Sequence, residues 1–367
     1  MEHLELTASN QYVTRYLLES NALRGPAQTY VDFADGTSWT RQGALAEAAR
    51  VANGLRARGV EQGDRVALVL DNGPDFLRVL WGIGVLGATA VPINTAFRGA
   101  ALRHLLVLAR PGCVVADARL RDRFTDLELS AESVLDPTDV RSDDPHVPDL
   151  TEGIADSDTA LLILTSGTTG ASKLSRTTYL QNYLGGSYLL ADKGFSADDA
   201  ALVDLPMFHL AIGYKVTACL VTGTRLAVRT APDLENYWEI ARDAGASLNV
   251  LLGSMMSYLV SRPSRRADRQ HSIRLTMVAP VPRDVGVYRE RFGVAEVTTG
   301  YGSTELPVPL ALTARDDITS GTCGRPRAGF EAKIVDERGE EVADGAVGEL
   351  LIRGEHPGMV SPGLLRG

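Results

Sequence analysis

Cysteine is scarce in this chain: three in 367 residues, at Cys113, Cys219 and Cys323. An odd and dispersed set builds neither a disulfide framework nor a pair at metal-binding spacing, and it fits a reducing cytoplasm. Long apolar runs are missing as well. No stretch approaches the ~20 residues a helix needs to cross a bilayer, and residues 201–210 and 248–252 read as buried strands. The start, Met1-Glu2-His3-Leu4-Glu5, lacks the basic-then-apolar pattern of a secretion signal. A basic excess is absent too. Lys and Arg number 37 against 46 Asp and Glu, a net charge of −9, so nothing suggests a nucleic-acid or anionic-membrane surface, though a local basic spot for a nucleotide remains compatible. Repeats and low-complexity tracts are not found. The expectation is a cytoplasmic protein without nucleic-acid or membrane partners.

What is present is ordinary globular material. With 44% hydrophobic and 23% charged residues, the chain can bury a large core, and its length predicts two or three subdomains. From Gly43 to Arg58, Leu45, Ala48, Ala52 and Leu55 recur at helical spacing, and Gly59 supplies a stop. Residues 65–70 (Arg-Val-Ala-Leu-Val-Leu) form a short apolar run of buried-strand type. A second helical pattern with Phe76, Leu77, Leu80 and Ile83 ends near Gly87, and residues 89–93 make the next strand, with Pro92 near its end. Strand, helix, strand at this spacing predicts a parallel sheet with right-handed crossovers. Residues 136–156, rich in Asp, Pro and Ser, read as a surface connector. After Asp316, Gly-punctuated β segments at residues 330–336 and 347–353 predict a small antiparallel or barrel-like module. The fold class is therefore α/β, with two stacked doubly wound sub-sheets plus a small β-barrel-like module. The expected subdomains are residues 1–155, 156–315 and 316–367.

The densest chemical signal is residues 164–173, Leu-Thr-Ser-Gly-Thr-Thr-Gly-Ala-Ser-Lys. An apolar strand opens into two glycines, five hydroxyl residues and a lysine. Glycine lets backbone N–H groups turn inward, and hydroxyls add donors without bulk. Such a loop suits a polyphosphate, with Lys173 as a mobile counter-charge. The spacing is not that of a P-loop. A hydroxyl-rich surface loop after a buried strand is the plainer reading of this segment taken alone.

Other motifs decide between them. The loop resembles the T-S-G-T-T-G-x-[PS]-K-G signature of the adenylate-forming superfamily, which includes acyl-CoA synthetases, luciferases and peptide-synthetase adenylation domains. Tyr301-Gly302-Ser303-Thr304-Glu305 resembles its Y-G-x-T-E motif, and Pro206-Met207-Phe208-His209 its P-[LM]-F-H motif. Gly324-Arg325-Pro326, Lys333-Ile334-Val335-Asp336 and Gly348-Glu349-Leu350 resemble its G-R-P, k-I-v-D and G-E-L run. Asp35-Gly36-Thr37-Ser38-Trp39-Thr40 is similar to the usual entry motif. The resemblance extends from about Tyr30 to Arg353.

The resemblance implies an acyl-CoA ligase: a carboxylate attacks the α-phosphorus of ATP, and CoA thiolate then displaces AMP. It places Thr165, Ser166, Gly167, Thr168, Thr169, Gly170 and Lys173 around the departing phosphates. Thr304 would bond the α-phosphate, Glu305 would hold Mg²⁺, and Tyr301, beside Gly302, would stack on adenine. Val278, Ala279 and Pro280 fall on the adenine-side loop. His209 would sit where the acyl and CoA tunnels meet; a hydrogen-bonded core histidine is the plainer alternative. The acyl pocket corresponds to residues 210–214, with Gly213 and Tyr214, to residues 253–256, with Gly253 and Met255, and to residues 298–300, with Thr299 and Gly300. These are apolar or small, and residues 210–214 lack the aspartate that grips an amino group, so the implied substrate is a hydrophobic acid that is not an α-amino acid. The implied partners are that acid, ATP and CoA, with Mg²⁺ as cofactor; a carrier protein as acceptor and a homodimer stay open. Met256 reads as core packing, and residues 265–269 as a surface charge run.

Three departures stand out. Leu174-Ser175 follows the loop lysine where the family has Gly-Val, Thr178-Tyr179 replaces Thr-His, and the branched Val278 replaces a small residue. All lie on the ATP side, so a second reading is a ligase that performs only thioesterification on a ready-made adenylate. They also point weakly to specialised biosynthesis. A third reading, from another class, is a non-catalytic ligand-binding module. The chain ends at Leu365-Arg366-Gly367, before the family's T-G-D motif and lid lysine. It is expected to be the large N-terminal domain without its lid, and crippled in adenylation on its own.

Overall fold

The computed structural model describes residues 11–127, 133–165, 173–190, 193–312 and 316–365. The helical spacing noted above forms the helix Arg41–Ala57, which begins where Thr40 Oγ1 accepts from the Gly43 amide at 3.0 Å. It buries Ala44, Leu45, Ala48, Val51, Ala52 and Leu55. The next helix, Pro74–Leu86, has proline in its first turn and ends on Gly87 at φ 73°, a left-handed cap that glycine adopts without strain.

Two seven-stranded sheets organise the chain. The first runs, in spatial order, Leu364–Leu365, Lys173–Thr178, Thr159–Thr165, Thr89–Pro92, Arg65–Val69, Cys113–Ala116 and Val134–Leu135. Its strands pair in parallel except at Lys173–Thr178, which is antiparallel to both its neighbours. The second runs Glu296–Thr298, Leu275–Ala279, Leu248–Leu252, Ala200–Val203, Arg225–Val228, Thr29–Phe33 and Ser38–Thr40, with only the last pair antiparallel. The doubly wound α/β class holds.

Sheet membership crosses the expected division near residue 155. Thr29–Phe33 ladders onto Arg225–Val228 in the second sheet, while Thr159–Thr165 and Lys173–Thr178 close the first. Hydrogen-bond partners, not chain order, assign a strand to its sheet. The expected strand over residues 201–210 is shorter, at Ala200–Val203; Pro206 has no N–H to offer a ladder, and a helix starts at Leu210.

Two helices join the sheets. Tyr179–Leu190 packs on the first-sheet strands Thr159–Thr165 and Lys173–Thr178, and Leu210–Thr222 packs on the second-sheet strands Ala200–Val203 and Arg225–Val228. They meet at Gly185 and Gly186. A Cβ on Gly185 would lie 2.6 Å from the Tyr214 ring, and one on Gly186 2.7 Å from the Tyr214 carbonyl oxygen. The two glycines let the helices touch. The resulting core spans both sheets and includes Tyr30, Trp81, Tyr179, Leu202, Leu226 and Met256; a second core covers the other face of the first sheet through Val69, Leu102, Leu106, Leu162 and Leu174.

The connector expected at residues 136–156 has no helix or strand among its described residues, yet it is tied down. Asn53 donates to the carbonyls of Asp144 and His146, and a Cβ on Gly54 would sit 2.1 Å from the Val140 oxygen. The small β module is open rather than barrel-like among the described residues. A three-stranded antiparallel sheet holds Gly300–Ser303, Leu306–Ala311 and Arg325–Pro326, and a separate ribbon pairs Phe330–Val335 with Glu349–Gly354.

Candidate active site

In open α/β sheets, ligands collect at the carboxyl ends of the parallel strands. Several motifs converge there. Thr165 ends the strand Thr159–Thr165 and lies opposite Lys173 across the antiparallel pairing, so the two flank the mouth of the Gly/Ser/Thr loop. Ser166, Gly167, Thr168, Thr169 and Gly170 lie outside the described residues. Thr304 and Glu305 occupy the turn between Gly300–Ser303 and Leu306–Ala311. Tyr301, before them, is exposed.

Polar contacts hold the turn against the loop hairpin. Gln181 Nε2 donates to the Thr304 carbonyl at 3.1 Å, and the buried Ser175 hydroxyl reaches the same oxygen at a long 3.4 Å. The same Ser175 hydroxyl lies 3.1 Å from Ser361 Oγ, so its one proton is shared between these two acceptors, and the Ser361 amide donates to the Glu305 carbonyl at 2.9 Å. The Glu305 carboxylate accepts from Ser303 Oγ at 2.8 Å. Gly302 is needed here, since a Cβ would meet the Leu306 oxygen and the Val308 amide at 3.1 Å. Behind the turn, Thr299 is buried and its carbonyl accepts from Tyr188 Oη at 2.9 Å. A side chain at Gly300 would strike Val308.

His209 caps the helix Leu210–Thr222, its Nδ1 accepting from the Ala211 amide at 3.3 Å. That bond leaves the proton on Nε2 in the neutral ring. Burial of part of the ring holds its pKa below the ordinary histidine range, so the neutral form prevails at pH 7. The segment is anchored to the first sheet. Asn72 Nδ2 donates to the carbonyls of Leu205 (2.9 Å) and Arg229 (3.2 Å), while its Oδ1 accepts from the Met207 amide (2.8 Å). No direct hydrogen bond links His209 to Lys173, Thr304 or Glu305 among the described residues.

The acyl-side candidates fall at one edge of the second sheet. Gly253 follows Leu248–Leu252, and a Cβ on it would lie 2.4 Å from the Pro280 oxygen, so the ends of two neighbouring strands abut. Met255 and Met256 are buried in the core, as read. Gly213 and the buried Tyr214 lie on the helix that His209 caps, and burial pushes the Tyr214 phenol up.

The departures from the family pattern resolve into packing. Leu174 is buried in the core of the first sheet. Thr178 Oγ1 donates to the Gly358 carbonyl at 2.6 Å and accepts from the Gln181 amide, and Tyr179 is fully buried. Val278 is completely enclosed too, so its branched side chain does not occupy the strand-end cleft; Ala279 is the exposed neighbour. One charge reading needs correction. Asp268, in the expected surface run, is buried and accepts from Arg291 at 2.9 and 2.7 Å, because Arg291 reaches it from the helix Val285–Phe292.

Among the described residues, no group of three or more His, Cys, Asp or Glu could hold a metal ion, and no helix is long and apolar enough to cross a membrane. Mg²⁺ commonly binds through one or two carboxylates together with substrate phosphates, so a single Glu305 fits that ion. A cavity of about 800 Å³ lies at the opposite ends of the first-sheet strands, lined by Arg65, Thr89, Thr159 and Arg176, and shares no residue with these motifs.

Residues 18–364 match the AMP-binding enzyme family. The chain belongs to that family. It is 31% identical over 329 residues to a feruloyl-CoA synthase of Amycolatopsis sp, covering 87% of this chain and 65% of that protein. It is 29% identical over 332 residues to a crotonobetaine/carnitine–CoA ligase of Proteus mirabilis, covering 83% and 63%. The chain therefore spans just under two thirds of the length of these relatives, which are acyl-CoA ligases. Among solved structures, the N-terminal domain of FACL13 from Mycobacterium tuberculosis superposes with a TM-score of 0.85 at 22% identity, over 97% of this chain and 91% of that one, and shares the fold. Family membership and fold thus agree with the motifs. Gln181 and Asn72 carry no motif in the sequence, and Ser175 stands out there only as a departure from the family pattern. A lone glutamine on the apolar stretch that includes Leu180 and Leu184 was the available signal for the first, and Asn72 reads as a turn residue before Gly73-Pro74.

Proposed function

We propose that this chain is the large nucleotide- and acid-binding domain of a ligase that activates a hydrophobic, non-amino-acid carboxylic acid as its acyl-adenylate and passes it to CoA. The observation that carries the reading is the clamp just described: Ser175 and Gln181 hold the Thr304–Glu305 turn against the hairpin whose mouth is Thr165 and Lys173. One element presents a lysine, the other a hydroxyl and a carboxylate, as phosphoryl transfer requires.

In this reading the residues from Thr165 to Lys173 bind the departing phosphates, and the Thr304 hydroxyl donates to the α-phosphate. Glu305 holds Mg²⁺, which would screen charge between the phosphates. Tyr301 stacks on adenine against the backbone at Ala279 and Pro280. The acid lies between Gly213–Tyr214 on one side and Gly253, Met255 and Thr299–Gly300 on the other. The neutral His209 offers an Nε2–H donor at the acyl junction. Because Leu174, Tyr179 and Val278 point their bulk into packed cores, the departures do not favour the thioesterification-only reading.

The test is calorimetric titration of the chain with Mg·ATP, AMP and a non-hydrolysable feruloyl sulfamate of adenosine. Binding of all three is expected. Binding of the sulfamate without ATP would return the thioesterification-only reading, and binding of none would leave a non-catalytic module.

A further inference from the structure

Buried amides are costly unless their hydrogen bonds are made, so a glutamine enclosed among leucines marks a position where its bonds matter. Gln181 is fully buried in the first turn of Tyr179–Leu190. Its side chain donates to two acceptors, both on site elements. One is the Thr304 carbonyl at 3.1 Å, and the other is the Tyr214 hydroxyl at 3.4 Å. A carbonyl oxygen can only accept, so the amide must present nitrogen to Thr304, which settles its orientation. Its Oε1 has no protein partner among the described residues. One turn on, Gly185 lets the Tyr214 ring rest directly on the helix backbone, so the hydroxyl has a defined direction.

We propose that Gln181 is a positioning residue whose carboxamide ties the Thr304 turn to Tyr214, holding the nucleotide side and the acyl side of the cleft in register. This rests on the reading of Thr304 as a nucleotide contact and of Tyr214 as acyl-pocket wall. The turn and the helix Leu210–Thr222 belong to different layers, and Gln181 donates to both. Loss of its two N–H groups frees the turn and the phenol together, whereas loss of the phenol hydroxyl alone leaves the turn anchored.

The experiment is calorimetric binding of two probes to the chain, adenosine 5′-sulfamate and its N-feruloyl derivative, with folding checked by the urea midpoint. Gln181→Leu is expected to weaken the unacylated probe about tenfold, in keeping with the loss of one or two buried hydrogen bonds. Tyr214→Phe should leave that probe unchanged and weaken only the feruloyl probe. The double variant should bind the feruloyl probe no worse than Gln181→Leu, since the hydroxyl has nothing to bond once Gln181 is gone. Gln181→Glu keeps the shape but turns acceptor against acceptor when ionised. Its affinity should recover toward the unsubstituted value as pH falls and the carboxyl regains a donor, a response that packing alone cannot produce. Additive losses in the double variant, or a pH-independent Gln181→Glu, would overturn the inference. If the unsubstituted chain binds neither probe, the adenylate reading itself is lost, and the inference goes with it.

Discussion

The crossing at Gly185–Gly186 makes a prediction whose sign depends on geometry alone. A Cβ on Gly186 would meet the Tyr214 oxygen at 2.7 Å and the Ala218 nitrogen at 2.8 Å, roughly 0.7 Å inside ordinary contact. Both neighbours are helix backbone, so neither can rotate aside, and the helices Tyr179–Leu190 and Leu210–Thr222 must separate. Overpacking of this kind costs ~1–3 kcal/mol, while alanine gains at most ~1 kcal/mol over glycine in a helix. Taking the middle of that cost less the helix gain, Gly186→Ala should therefore destabilise the fold by ~1 kcal/mol. Gly286, on the helix Val285–Phe292, is exposed and has nothing within 4 Å of its hypothetical Cβ. There the same substitution should stabilise by roughly 0.5 kcal/mol. Urea unfolding of the two variants measures both. Because the crossing carries Tyr214, Gly186→Ala should also weaken the feruloyl probe more than the unacylated one. A neutral or stabilising Gly186→Ala would refute the close crossing.

Three further outcomes follow from particular contacts. Asn72→Ala removes two bonds to the segment before His209 and a third to the Arg229 carbonyl, so amide exchange at Met207 should accelerate at least tenfold, and unchanged exchange would mean the tether is unimportant. Arg291→Met leaves the buried Asp268 carboxylate without its partner and should cost ~3–5 kcal/mol in urea unfolding, against little for Arg266→Met, whose residue is exposed. His209 and His271 both have pKa values lowered by burial, so the folded state binds fewer protons than the unfolded one. Their contribution is present above the ordinary histidine pKa and is lost as pH falls through the lowered values. The urea midpoint should drop from pH 7 toward pH 5, and His271→Phe, which keeps the stacking on Trp238, should flatten part of that slope.

Much of the architecture could be read from the chain because it rests on local, repeated signals. Apolar spacing located the helices near Gly43–Arg58 and Phe76–Leu86, and short β-rich runs located the parallel strands within a residue or two. Long-range pairing carries no such mark. Nothing in residues 29–33 announces that they will ladder beside Arg225–Val228 rather than beside Arg65–Val69. The strand content of the small β module predicts its antiparallel pairing, but whether it closes depends on which edges find partners, and among the described residues it stays open.

The site divides along the same line, and the departures show why. A motif records which residue types surround a ligand, but a residue's identity does not say which way it faces. Val278 reads as an obstruction because a branched residue stands where the family has a small one; in the fold its side chain is turned into the core and Ala279 is left outside. Leu174 and Tyr179 likewise fill packed cores beside the loop, and Thr178 has become a cap and a bond to Gly358. Conversely Gln181 matched no motif, and its importance arises only once two helices and a turn from distant parts of the chain meet around its amide. The motif residues would touch the ligand, and the residues that fix their spacing are specified by packing. Substitutions at Gln181, Asn72 and Gly186 therefore test the function as directly as substitutions within the motifs.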